Sequence, residues 1–200
     1  MGEIPFVKLS VVDTAKVFGG SQTYSEIVGS VQRRLEWLGG AAASQLQIDR
    51  AQFYHARVPV QVGGKTCYLP KAQGFIYTLI AEDRKLNGNS GGVEVDLISA
   101  RDLKRIYRRL TGSEYSDFLK GTEFDFLFKW VKQLNSKSVE GFRKNVTVNV
   151  SRANDALEAV DFPDHFRIQN LNEDKPRGKK SQGAMYTINL PGDAIHLPSL

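Results

Sequence analysis

Ser99-Ala-Arg-Asp-Leu-Lys-Arg-Ile-Tyr-Arg-Arg-Leu110 is the stretch on which the reading of this chain turns. Leu103, Ile106, Tyr107 and Leu110 fall at i, i+3, i+4 and i+7, the spacing of one apolar helix stripe. Arg101, Lys104, Arg105, Arg108 and Arg109 take the remaining surface. Ser99 with Asp102 supplies a start signal, and Thr111-Gly112 supplies a stop. One face of this helix requires a core, and the other suits an anion or water.

Upstream, Phe6 to Val12 reads as a strand, and the capping box Thr23-Tyr-Ser-Glu26 opens a helix that Gly39-Gly40 stops after Leu38. Phe53 to Val62 and Lys65 to Leu69 flank Gly63-Gly64, whose freedom to take positive φ predicts a tight hairpin. Pro59 cannot donate to a ladder, which predicts an edge or a bulge there. Ala72 to Leu86 carries Phe75, Ile76, Leu79, Ile80 and Leu86 at helical spacing, and Val93, Val95 and Leu97 alternate with Glu94 and Asp96 as in a strand. The order strand, helix, strand, strand, helix, strand over residues 1–98 is the βαββαβ succession of a ferredoxin-like unit.

Residues 99–200 read as a helical extension with two or three further strands, packed on the first half as one compact α+β domain. Thr122 and Asp125 start a helix with Phe124, Leu127, Phe128, Val131 and Leu134 inward and Trp130 off the stripe. Val146, Val148 and Val150 alternate with Thr147 and Asn149, which predicts a strand, followed by a short helix from Asp155 to Val160. Phe166 to Ile168 and Met185 to Leu190 are further strands. Between them residues 172–183, with Asn, Asp, Pro, Gly, Lys and Ser, cannot bury a core and read as a mobile basic loop.

Composition bounds the function. The 200 residues, 41% hydrophobic and 24% charged, suit a globular domain that needs no disulfide or metal to fold. The single cysteine, Cys67, excludes an internal disulfide and a cysteine-rich zinc site, and reads as a packing residue. No basic segment precedes an apolar run at the amino terminus, no apolar stretch of about 18 residues occurs, and Phe6 stands where myristoylation wants Ser or Thr. The expectation is a cytoplasmic protein with no membrane association. The net charge of +5 favours a polyanionic partner, and the excess is concentrated in the opening helix and in Lys175-Pro-Arg-Gly-Lys-Lys180.

These two basic segments form the candidate site. Arg101, Lys104, Arg105, Arg108 and Arg109 are expected to contact phosphates, with Lys175, Arg177, Lys179 and Lys180 closing over a bound strand, since a guanidinium fork holds two phosphate oxygens at once. On this reading charge reversal at Arg105 and Arg108 abolishes nucleic-acid retention and leaves the fold intact. The expected function is binding of RNA or DNA without catalysis and without a cofactor. The alternative is an interaction or inhibitory module whose charged helix docks on an acidic protein.

Catalytic signals are sparse. Gly63-Gly-Lys-Thr66 lacks the upstream glycine of a phosphate loop. Phe53, Tyr54 and Tyr68 are candidate stacking residues for single-stranded RNA, but no signature strand surrounds them. Of His55, His165 and His196, only His55, beside Tyr54 and Arg57, is a candidate general base for metal-independent RNA cleavage; no metal site is expected. Glu94 with Asp96, and Asp161 with Asp164, are carboxylate pairs without a further element for Mg²⁺ chemistry.

Ser136-Lys-Ser138, Phe142-Arg143 with a following strand, and Tyr186-Thr-Ile-Asn-Leu190 are faintly similar to the end of the RNA-processing endoribonucleases of type I-F CRISPR systems. The similarity covers about a quarter of the chain. It implies RNA hairpin binding by a ferredoxin-like domain and an arginine-rich helix. The family carries its catalytic histidine on the first helix, whereas Thr23 to Leu38 contains none, which leaves cleavage without its base.

Overall fold

The computed structural model describes residues 45–51, 57–88, 92–115, 124–136, 139–172 and 183–200. The expected strand at 6–12, the helix at 23–38, His55 with its neighbours Phe53 and Tyr54, and the cations of the 172–183 loop lie outside the described residues.

The glycine pair behaves as its chemistry requires. β2 (Arg57–Val62) and β3 (Lys65–Pro70) form an antiparallel hairpin in register Val62↔Lys65 to Arg57↔Pro70. Gly63 and Gly64 take φ of 53° and 81°, the positive pair that matches the twist of a two-residue hairpin turn. β1 (Leu46–Ile48) adds antiparallel to β2 and parallel to β7 (Ile195–His196), so the order is β3-β2-β1-β7. Pro59 therefore sits on an inner strand, not at an edge or a bulge. The short β1 explains it: its ladder ends at Ile48↔Val60, and Pro59 needs only its carbonyl, which accepts from the Asp49 amide at 3.1 Å.

The inner face of this sheet, Leu46, Ile48, Val58, Val60, Val62, Cys67 and Leu69, packs on α1 (Lys71–Asn87). Helix and sheet approach so closely that a Cβ on Gly74 would lie 2.4 Å from Val58 Cβ. Residues 74 to 82 of α1 are buried without interruption, so this helix is the centre of the core and its carboxylate at Glu82 is interior. Leu86, expected on the apolar stripe, is instead exposed at the end of α1.

The second sheet is β4-β6-β5, all antiparallel, from β4 (Val93–Glu94), β5 (Ile168–Asn170) and β6 (Met185–Ile188). The α+β class is thus observed, but β4 does not share a sheet with the β2–β3 hairpin as a ferredoxin-like succession requires. The strand expected to run to Leu97 stops after two residues, and Val95–Leu97 turns in a 3-10 helix that leaves Leu97 exposed. Strands from both sides of residue 98 share each sheet.

Three helices complete the described part: α2 (Ala100–Thr111), α3 (Asp125–Asn135) and α4 (Val139–Glu158). The largest correction is α4, whose 20 residues absorb the expected strand at 146–150 and most of the expected short helix. Val-x-Val-x-Val satisfies a period of two, but Phe142, Val146, Val150, Ala153 and Leu157, spaced by four, four, three and four, satisfy 3.6 over a longer window, and all five are buried. On α3 the core residues are Leu127 and Trp130, while Phe128 is exposed. Trp130 lies edge-on to Phe75 of α1 and Phe142 of α4 at 6.1 and 5.8 Å between centroids, an aromatic joint between three helices. No helix among the described residues is long and apolar enough to cross a membrane.

Candidate nucleic-acid interface

α2 forms where the caps and stripe predict. The Ser99 hydroxyl accepts from the Asp102 amide at 3.3 Å, Asp102 Oδ2 accepts from the Ser99 amide at 2.9 Å, and Gly112 closes the helix with φ 74°. Burial works to raise the Asp102 carboxyl, but hydrogen bonds from the Ser99 hydroxyl and amide, with the Arg105 charge, outweigh it and hold the group below its ordinary value. Leu103, Ile106, Tyr107 and Leu110 are buried.

The five cations of α2 do not form one free face. Glu82 on α1, its side chain 2% exposed, receives Arg105 Nε at 2.7 Å and Arg109 NH2 at 2.6 Å. Arg105 also reaches Asp102 Oδ1 at 3.1 Å, and Arg109 donates to the Pro198 carbonyl. Burial works to lower the Arg105 guanidinium, and the bonds and charges of Glu82 and Asp102 outweigh it and raise it. An interior carboxylate without its partners costs several kcal/mol, so Arg105 and Arg109 bind α2 to α1. The expectation that Arg105 can be reversed without harm to the fold is therefore corrected. Arg108 pairs with Glu114 at 2.8 Å in solvent, and Lys104 Nζ lies 5.2 Å above the Tyr115 ring. Arg101 is exposed and has no partner among the described residues.

α4 carries the surface that the strand reading concealed. Opposite its buried stripe, Arg143, Lys144, Thr147, Val148, Ser151 and Arg152 are exposed at helical neighbour spacing, flanked by exposed Glu140 in the first turn and by Asp155 and Glu158 at the far end. The β5–β6 hairpin is fastened along this helix. The Asn154 amide donates to the Ile168 carbonyl and accepts from the Ile168 amide, both at 2.8 Å, and the Tyr186 hydroxyl donates to Thr147 Oγ1 at 3.4 Å. Because Ile168 pairs with Ile188 and Asn170 with Tyr186, the hairpin base lies at Asn154 and its open end points toward the Arg143 end of α4. A Cβ on Gly183, where the chain returns to the hairpin, would lie 2.7 Å from Asp96 Oδ2, and the Asp96 carboxylate pairs with Arg143 Nε. Lys175, Arg177, Lys179 and Lys180 belong by chain order to the connection that departs from this end.

The other candidates take structural places. The Gly63-Gly-Lys-Thr66 run is the hairpin turn, with Lys65 Nζ bonded to the Asp161 carbonyl at 3.2 Å. The Cys67 thiol is buried and donates to the Ala156 carbonyl at 3.4 Å; burial pushes it up, against the Arg57 charge. His165 lies 4.3 Å from the Phe166 ring, its pKa lowered by burial against the opposing Asp164 charge, and His196 is exposed on β7. Tyr68 is exposed on β3. Among the described residues no three His, Cys, Asp or Glu side chains are grouped as metal ligands would be. The strand that the endoribonuclease resemblance counted after Arg143 is the interior of α4. In comparisons with known proteins, no family model, no curated protein and no solved structure matches this chain.

Proposed function

We propose that the protein binds nucleic acid without chemistry of its own, that the ligand is duplex DNA, and that α4 rather than α2 is the contacting helix. The observation that carries this reading is the row of exposed cations and hydroxyls along α4, Arg143, Lys144, Thr147, Ser151 and Arg152, on the face opposite its buried stripe. Arg143 to Arg152 runs about 14 Å at 1.5 Å per residue, and the major groove, about 12 Å wide, admits the diameter of a helix. In A-form RNA that groove is too narrow and deep for side chains to read, which favours DNA.

α2 precedes α4 in the chain, with α3 between them. Its outer cations Arg101, Lys104 and Arg108 suit phosphates. The Arg108–Glu114 pair is exposed and worth at most about 1 kcal/mol, so a phosphate displaces it cheaply.

The test is fluorescence anisotropy with labelled duplex DNA, duplex RNA and single strands across a salt series. Duplex DNA is expected to bind tightest, with affinity falling steeply with salt. The variant R143A/K144A/R152A is expected to lose most of it while melting at the same temperature. Equal affinity for the variant, or no duplex binding at low salt, would overturn the reading.

A further inference from the structure

We propose that the groove lined by β4, α1 and the start of α2 docks an extended basic peptide of a partner protein, which adds as a strand to β4 and seats one lysine or arginine side chain against Leu79, Val93 and Ile98. The groove has a volume of about 190 Å³ and shares no residue with the cationic face of α4. Pockets for drug-sized ligands run to roughly 300–1,000 Å³, so this volume suits a single long side chain rather than a free small molecule.

Two carboxylates of the groove are uncompensated. Asp102 and Arg105, which also line it, form a balanced set with Glu82 and Arg109, two anions against two cations. Asp83 and Glu94 remain. Asp83 Oδ1 accepts from Asn87 Nδ2 at 2.7 Å, but Oδ2 is shut off from solvent and has no hydrogen-bond partner among the described residues. A carboxylate oxygen out of water without a donor is destabilising, and a lysine or arginine answers both features of the groove: its methylene stem packs on apolar surface while its head reaches the anions.

The two edges of the second sheet differ in the same sense. At β5 the Asn154 side chain takes up the Ile168 amide and carbonyl. β4 pairs with β6 through Val93↔Tyr186 and Glu94↔Met185 and has no second neighbouring strand among the described residues. An edge strand of this kind offers its free N–H and C=O groups to an extended peptide, and the groove beside it takes the alternate side chain.

The test titrates the full chain with a capped octapeptide of alternating threonine and lysine, followed by amide chemical shifts. Saturable shifts are expected at Leu79, Val93, Glu94 and Ile98, and none with the glutamate counterpart. Asp83→Asn combined with Glu94→Gln, which keeps both side-chain shapes, is expected to weaken binding about tenfold, the loss of one charge-assisted hydrogen bond, at an unchanged melting temperature. N-methylation of the peptide backbone, which needs no protein variant, is expected to abolish binding. No binding at roughly millimolar peptide, equal binding of the glutamate peptide, undiminished affinity of the double variant or retained binding of the N-methylated peptide would each overturn the proposal. A gain in affinity on replacing Lys175, Arg177, Lys179 and Lys180 by serine would overturn it by making this chain's own connection the occupant. A dimer that the double variant dissolves would do so by making the occupant a second copy. None of these outcomes bears on DNA binding by α4.

Discussion

α2 and α4 are both amphipathic helices with cations opposite a buried stripe, yet they place that charge in opposite economies. In α2 two of five cations are turned inward onto Glu82, an anion held in the centre of the core by α1. In α4 the cations stand on the solvent face, and the described anionic contact to them is the exposed pair from Asp96 to Arg143. A count of arginines thus separates helices poorly. What separates them is whether a neighbouring element buries a carboxylate within reach.

The sharpest way to break this comparison is Arg109→Ala, which leaves Glu82 with one partner and the Pro198 carbonyl with none from this side chain. A loss of about 3 kcal/mol in urea unfolding is expected, since removing one member of a buried ion pair strands the other. Glu82→Gln in the same background is expected to recover part of it. Indifference of stability to R109A would show that α2 is no more committed to the interior than α4.

Next in size is the binding effect of R143A/K144A/R152A. If all three contact phosphates, the slope of log affinity against log salt falls by about 2.7, with each side chain's effect on folding stability within about 0.5 kcal/mol. R101A/K104A/R108A on α2 is expected to reduce the slope as well, but to leave sequence preference unchanged, because backbone contacts carry no sequence information. A reversed pattern, with preference lost from α2 and kept on α4, would exchange the roles assigned to the two helices.

The smallest effect concerns the start of α2. Asp102→Ala removes half of the capping box and is expected to cost about 1 kcal/mol. Because the folded carboxyl titrates below its ordinary value near 3.9, its contribution is present above that pH and is lost as pH falls through the lower folded value. Stability measured from about pH 5 downward should therefore converge for the native protein and D102N below the folded value. A constant difference between them would mean that the cap does not depend on the charge.

Much of the fold was legible where the signal was local. The Gly63-Gly64 hairpin, the Ser99–Asp102 cap, the Gly112 stop and the strand at 185–188 follow from backbone chemistry within a few residues, whereas the strand expected at Phe166 to Ile168 starts only at Ile168, because Asp164–Phe166 turns in a 3-10 helix. Trp130 was misplaced because the stripe on α3 is turned toward Phe75 and Phe142, residues far away in sequence. The candidate site was half legible. The basic connection between β5 and β6 and the outer cations of α2 were read from charge alone, but Arg143, Lys144 and Arg152 were passed over with the strand assigned to 146–150. The signal that finds them is the run from Phe142 to Leu157, taken as one window.

By itself, then, the sequence determined those elements whose stabilising contacts lie within one turn of helix or one hairpin, because caps and glycines act over three or four residues. The tertiary structure decided two things. It decided that Val146 to Val150 is helical, since a period-two and a period-3.6 pattern overlap there and only the packing of Phe142 on Trp130 and of Asn154 on β5 selects between them. It also decided which arginines are available. Arg105 and Arg109 are 23 and 27 residues from the carboxylate that holds them, and no local pattern around a guanidinium reveals a buried anion on another helix.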